Sequence, residues 1–298
     1  LVYHLTPGEP LADGVRTVAA SQLDAALATM DDASEDIHER VHAPRKRAKK
    51  LRALVRLIRD GNAGTYRRVN ADLRDTGRLL SGVRDTAAAV ETHEAFEAML
   101  GAETLAPFAS VRTALVARRD GHAMNEIERL LPDVRERVAT ARWNIDGWKL
   151  PKGPAVDVME QGYARTYDRA RALLKESIDD PTTDTWHEWR KRVKYHRYHV
   201  DLLRLAWSPV MEQREQLLHD LTDALGDDHD LAVLRADLTE HQLGLDQNVR
   251  AGYLELIDRQ RAQLQHTVVP LGRRLFSEPA DAHAERVVGW WQLSIDDA

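Results

Sequence analysis

Apolar residues recur at three- and four-residue intervals through Val15–Met30, Glu126–Arg142, Val158–Glu176 and Arg250–Arg261, the spacing that lines one face of an α-helix. The alternation of β-branched and aromatic residues that marks a strand is scarce. Ala, Leu, Arg, Glu and Asp dominate, and apart from Asp these favour helix interiors. Breakers fall between the periodic segments, at Asp60–Gly64, Ala106-Pro107, Asp179–Pro181, Ser208-Pro209 and Glu278-Pro279. The strongest break, Leu150-Pro151-Lys152-Gly153-Pro154, lies near the midpoint. The pattern predicts an all-α chain built from two helical bundles, residues 1–150 and 151–298.

The two halves repeat one another at an offset of 145 residues. His42-x-x-Arg45-Lys46-Arg47-x-Lys49-x-x-Arg52 matches His187-x-x-Arg190-Lys191-Arg192-x-Lys194-x-x-Arg197. Leu80 and Asp85 match Leu225 and Asp230 at the same offset, so the interval from His to Asp is conserved without insertion. Duplication predicts a pseudo-twofold arrangement in which equivalent helices face one another. The Arg84-Asp85 and His229-Asp230 pairs are expected at helix starts, where Asp caps orphan amides; there Arg84 buttresses the neighbouring stripe.

Charge sharpens the picture. The 298 residues carry 42 Lys+Arg against 48 Asp+Glu, a net charge of −6. Yet the stretch from Arg40 to Arg59 holds nine bases and no acid. On a helix, His42, Arg45, Lys49, Arg52, Arg56 and Arg59 fall within an arc of about 100°, while Val41, Ala48, Leu51, Leu54, Val55 and Ile58 line the adjoining face. One side is expected to pack and the other to carry a cationic stripe. Like charges at this spacing destabilise a helix slightly, and an acidic protein does not need them for solubility. The segregation predicts a local anion site. His187, Arg190, Lys194 and Arg197 repeat the stripe, and Arg74 and Arg78 extend the first copy.

Two basic helices facing across an axis make a long groove or pore, a shape suited to an extended polyanion. Arg grips phosphate oxygens through paired N–H groups and Lys supplies mobile charge. Sites that read nucleic-acid bases add aromatic platforms, but aromatics make up only 6% here and the first stripe has none. Tyr195 and Tyr198 accompany the second stripe, while Trp186, Trp189 and Trp207 suit core or end packing. A featureless phosphate polymer fits this lining better than a base sequence.

These motifs resemble the CHAD domain, the conserved-histidine α-helical domain. His42, Arg45, Lys49, Lys50, Leu51 and Arg52 carry its first motif. His187, Arg190, Lys191, Lys194, Arg197 and Tyr198 carry the second, with Leu80–Asp85 and Leu225–Asp230 as the partner motifs. The resemblance implies two tandem four-helix bundles around a basic central cleft that binds inorganic polyphosphate, and association with polyphosphate granules. The expected contacts are His42, Arg45, Lys46, Lys49, Lys50, Arg52, Arg56, Arg74, Arg78, His187, Arg190, Lys191, Lys194, Arg197 and Tyr198. Lys46 stands where the family usually has an apolar residue. Pro44 predicts that the first basic helix starts near residue 43 or bends there.

The remaining chemistry is sparse. With no cysteine, thiolate metal sites and disulfides are excluded. No apolar run is long enough for a membrane span, and Leu1–Pro10 lacks the pattern of a secretory leader. The chain starts at Leu1 instead of Met, as a trimmed fragment would. His38-Glu39-Arg40-Val41-His42 matches the H-E-x-x-H zinc pattern, but the dense cations that follow oppose a metal, and only His42 recurs in the second half. No phosphate-binding Gly-rich loop or nucleophile elbow is present. The expectation is a cytoplasmic binding protein without catalysis, metal or cofactor. The alternatives are an RNA binder reading the backbone and a metal-dependent polyphosphate-processing enzyme using Asp227, Asp228 or Asp230.

Overall fold

The computed structural model describes residues 1–79, 85–121, 125–150, 155–241 and 243–297, and among these the secondary structure is helical throughout. In chain order the helices are α1 (Leu11–Asp31), α2 (Ile37–Leu57), α3 (Ala63–Leu79), α4 (Asp85–Leu100), α5 (Ala102–Leu105), α6 (Ala109–Gly121), α7 (Asn125–Trp143), α8 (Ala155–Asp179), α9 (Thr183–Leu202), α10 (Ser208–His241), α11 (Gln247–Leu275) and α12 (Ala280–Asp296). The chain breakers sit where they were expected. Asp60–Gly64 joins α2 to α3, Asp179–Pro181 joins α8 to α9, and Pro209 lies in the first turn of α10, where its missing amide costs nothing. Thr182 and Thr185 form a reciprocal cap that starts α9. Asp246 accepts from the amides of Asn248 and Val249 to start α11.

The 145-residue offset governs element boundaries as well as motifs. The short 3-10 turns Arg59–Gly61 and Arg204–Ala206 begin 145 residues apart, as do the starts of α3 and α10. The α1–α2–α3 succession therefore recurs as α8–α9–α10, and within each set consecutive helices pack on one another. Helix α7 closes the first set against α1, as α12 closes the second against α8.

Two hydrophobic clusters hold the chain together. The larger runs from Tyr3 to Trp291 and includes Leu51, Leu54, Met159, Tyr163, Trp189 and Val193. The smaller joins Phe96, Val111 and Leu115 to Leu231, Leu234, Tyr253 and Ile257. Both draw on residues before and after Leu150. Val41, Ala48, Leu51, Leu54, Val55 and Ile58 are all buried, as the periodicity of α2 requires. The tightest approach is α8 on α2: a Cβ added to Gly162 would lie 1.9 Å from the Leu57 carbonyl oxygen. Gly272 similarly admits the Trp189 indole, which a Cβ would meet at 2.8 Å.

Three expectations are corrected. Helix α2 begins at Ile37 and continues through Pro44; packing of its buried face outweighs the one backbone donor proline lacks. His229 and Asp230 do not start a helix, because Leu225–Asp230 lies inside the 34-residue α10. Gly226 is no terminator; it leaves space for the Arg190 guanidinium, which a Cβ would meet at 3.2 Å. Trp207, assigned to packing, remains 49% exposed while meeting Trp290 edge-on at 5.0 Å. Leu80–Arg84 and the side chain of Asp85 lie outside the described residues.

Candidate functional site

Helices α2 and α9, which carry the two basic stripes, cross directly. Lys50 faces Asp201 at 3.5 Å, the His199 ring nitrogen Nε2 lies 2.9 Å from the Ala53 carbonyl, and Arg56 lies over Tyr195 at 4.3 Å from the ring centroid. As α2 advances from 50 to 56, its partners recede from 201 to 195, so the chains run in opposite senses. The contacts are also reciprocal: shifted by the repeat offset, Lys50 becomes Tyr195 and Arg56 becomes Asp201, and each pair meets across the crossing.

This geometry separates the two motif histidines. From the crossing near Ala53 and His199, His42 lies about 16 Å back along α2 and His187 about 18 Å back along α9, on different arms. His42 sits near Glu39 of its own helix, Nδ1 to Oε2 3.5 Å. His187 stacks on His229 of α10, with ring centroids 4.1 Å apart and planes at 28°.

Between those arms, cations from both copies come together. Arg52, Arg56 and Arg192 surround Tyr195 and act on one another electrostatically. Burial holds the Arg192 and Arg52 pKa values below the ordinary guanidinium value, and Arg56 adds to both effects. Lys194 is pushed down to about 8, first by burial and then by Arg190 and Arg197, against the pull of Asp223 and Asp230. The charge of Lys49, from the first copy, reaches His229 in the second. Arg74 bears on Arg52. Lys46 bears on Lys50, and Arg45 is half-buried on the same helix.

Carboxylates temper this field, some from the crossing helix or from α10 and others from the same helix as the cation they meet. Asp201 pairs with Lys50, whose Nζ also lies 3.9 Å from the Tyr3 ring centroid. Glu215 of α10 accepts from Arg197 Nε at 2.7 Å, and Thr222 accepts from the same side chain at 3.2 Å. Glu188 takes Lys191 and Arg192. Asp75 pairs with Arg74 at 2.9 Å and Arg78 at 3.6 Å. Burial, more than any neighbour, raises the Asp201 carboxyl above its ordinary value and pushes the Tyr198 phenol up to about 12. Tyr198 is thereby a packed ring, edge-on to Tyr3 at 6.0 Å.

Other donors are buried without an acceptor. The Nε atoms of Arg47, Arg56, Arg190 and Arg192, and Nδ1 of His187, have no hydrogen-bond partner. Arg47 and Arg192 were not among the expected contacts, yet they occupy the same position in the two motif copies, and that repetition was the available signal. His229 and Arg261 were also missed; they enter through α10 and α11, outside the basic motifs. Arg40, the first base of the acid-free stretch, donates two hydrogen bonds to the Met30 carbonyl at 3.0 and 2.8 Å. Among the described residues no group of three or more His, Asp or Glu is placed to hold a metal ion, and the His38 side chain is outside that set. Asp228 binds Arg261 at 3.0 Å and Gln265 at 2.9 Å. No described helix is long and apolar enough to cross a membrane.

The family model described as CHAD domain matches residues 17–239, most of the chain and all of both basic helices. No curated protein matches.

Proposed function

The chain belongs to the CHAD family, and from that premise we propose that it binds inorganic polyphosphate, without chemical turnover, along a basic lane where its two helical repeats cross. The repeats are read as tandem bundles about a pseudo-twofold axis, residues 1–150 and 151–298. The observation that carries the reading is the set of buried donors without acceptors on α2 and α9. A buried donor left unpaired costs about 1–3 kcal/mol, more when charged. A string of phosphate oxygens supplies acceptors and counter-charge together.

A polymer suits the spread of these donors. Arg47 to Arg56 alone cover about 14 Å of helix, longer than one phosphate group. Of the aromatic rings in the lane, Tyr195 and Tyr198 are buried and engaged by Arg56 and Lys50, and half-buried Tyr66 meets Arg56 and Arg59, so cations rather than bases occupy them. RNA at matched phosphate concentration is therefore expected to be held less tightly than long-chain polyphosphate. Asp201, Glu215 and Glu188 beside the lane are paired with Lys or Arg, and Asp223 and Asp230 act on Lys194, which supports binding over metal-assisted hydrolysis. Localisation to cytoplasmic polyphosphate granules belongs to the same reading.

The test is the salt dependence of polyphosphate binding. Each charge that displaces a condensed counterion adds roughly 0.7 to the slope of log K against log salt for a single strand. Replacing Arg56 and Arg192 with alanine together is expected to lower that slope by about 1.4. An unchanged slope removes them from the lane. Release of orthophosphate on adding Mg²⁺ or Mn²⁺ overturns the non-catalytic part.

A further inference from the structure

Unlike the arginines around it, the His187–His229 stack can gain charge by binding a proton. His229 occupies the repeat position that is Arg84 in the first copy, so a titratable ring replaces a permanent cation. The rings lie 4.1 Å apart, and Nδ1 of each is buried with no hydrogen-bond partner. Their surroundings are mostly cationic. Arg190 and Lys191 face His187 from α9, opposed by Glu188 and Asp184. Arg190, Arg261 of α11 and Lys49 of α2 face His229. Glu188 is already bound to Lys191, and Asp228 to Arg261 at 3.0 Å. Burial comes first in lowering both imidazole pKa values, with these cations adding to it, and His229 falls to about 3. The free protein thus stacks two neutral rings.

We propose that a phosphate group of the bound polymer docks on this stack and that docking is coupled to uptake of one proton by the His187–His229 pair, so that polyphosphate is held more tightly as pH falls. The inference rests on the polyphosphate reading above and adds its regulation. An anion beside an imidazole favours the charged form, and the protonated ring presents both nitrogens as donors. A second proton on the neighbouring ring meets direct like-charge repulsion, which limits the uptake to one. The sign follows from linkage. Binding raises the pKa of the pair, so the complex holds more protons than the free protein. Affinity therefore climbs as pH drops below the pKa of the complex and levels off below that of the free pair.

Long-chain polyphosphate is the right probe, because its interior phosphates keep a single charge throughout this range and the titration then belongs to the protein. Calorimetry in two buffers of different ionisation enthalpy at about pH 6 is expected to show uptake approaching one proton per site, and affinity is expected to rise about tenfold from pH 7.5 to pH 5.5. H229R restores the permanent cation of the first copy and H229Q keeps a polar side chain. Both are expected to bind with a much flatter pH dependence, after thermal unfolding has shown them folded. Absence of proton uptake, or the wild-type pH dependence in either folded variant, overturns the coupling while leaving polyphosphate binding intact. Failure to bind the polymer at any pH overturns both.

Discussion

Acid is expected to weaken the fold well before its carboxylates titrate, because the second repeat buries a group of neutral histidines. His199 and His283 are pushed down to about 3, mainly by burial, and fully buried His196 is lowered too, with neither ring nitrogen partnered. Tyr163 links the group, its hydroxyl 3.2 Å from Nε2 of His283 and its ring centroid 5.0 Å from that of His196. In the unfolded chain each ring titrates near 6.5. The unfolded state therefore binds more protons across the interval between those values, so stability is fully present above the upper one and declines as pH falls through it. At pH 5.5 a ring shifted this far costs about 1.4 kcal/mol relative to pH 7.5, and His199 with His283 costs about 3 kcal/mol. His196 and His229 act in the same direction. Asp201, Asp227 and Asp228, whose carboxyls burial raises, act in the opposite direction, because the folded chain holds their protons more firmly. Urea unfolding at the two pH values measures the sum. H199Q, whose longer side chain can place an amide N–H near the Nε2 position that faces the Ala53 carbonyl, is expected to lose about 1.4 kcal/mol of the pH dependence. Equal stability at both pH values, or an undiminished dependence in H199Q, refutes the argument.

Three further outcomes are expected. G162A pushes a methyl group into the Leu57 backbone, where nothing flexible can yield; a loss of about 3 kcal/mol or more in chemical unfolding is expected, and wild-type stability would show that α8 and α2 can separate. Lys194, at about 8 in the free protein, is fully charged only below that value, so polyphosphate affinity is expected to decline between pH 7 and 9, and K194R is expected to abolish the decline. D201N removes the counter-charge of half-buried Lys50; it is expected to lower the thermal midpoint while strengthening polyphosphate binding, and a parallel fall in both would place Lys50 outside the lane.

Helix content, the packing face of α2 and the repeat were legible because each depends on local spacing. The starts of α3 and α10 keep the same offset, while their lengths differ. Leu225–Asp230 was misread because Asp is a favoured capping residue, whereas here the helix continues through it and Gly226 makes room for Arg190. The larger gap concerns charge. Counting acids within the stripes suggested uncompensated cations, but Asp201 and Glu215 come from the crossing helix and from α10. Such partners are set by how helices pack, which no window along the chain contains. Arg47 and Arg192 were visible as repeated letters, but only the packing distinguishes them from the solvent-facing Lys46.

The reciprocal contacts where α2 meets α9 differ in character. One side is a closed ion pair, Lys50 with Asp201; the other is a guanidinium resting on a phenol ring, Arg56 with Tyr195. Inorganic polyphosphate reads the same from either end, so this inequality has no means of selecting a threading direction. On the polyphosphate reading the expected consequence is a graded grip: Arg56, whose Nε is buried without an acceptor, is poised for a phosphate oxygen, whereas Lys50 must first release Asp201.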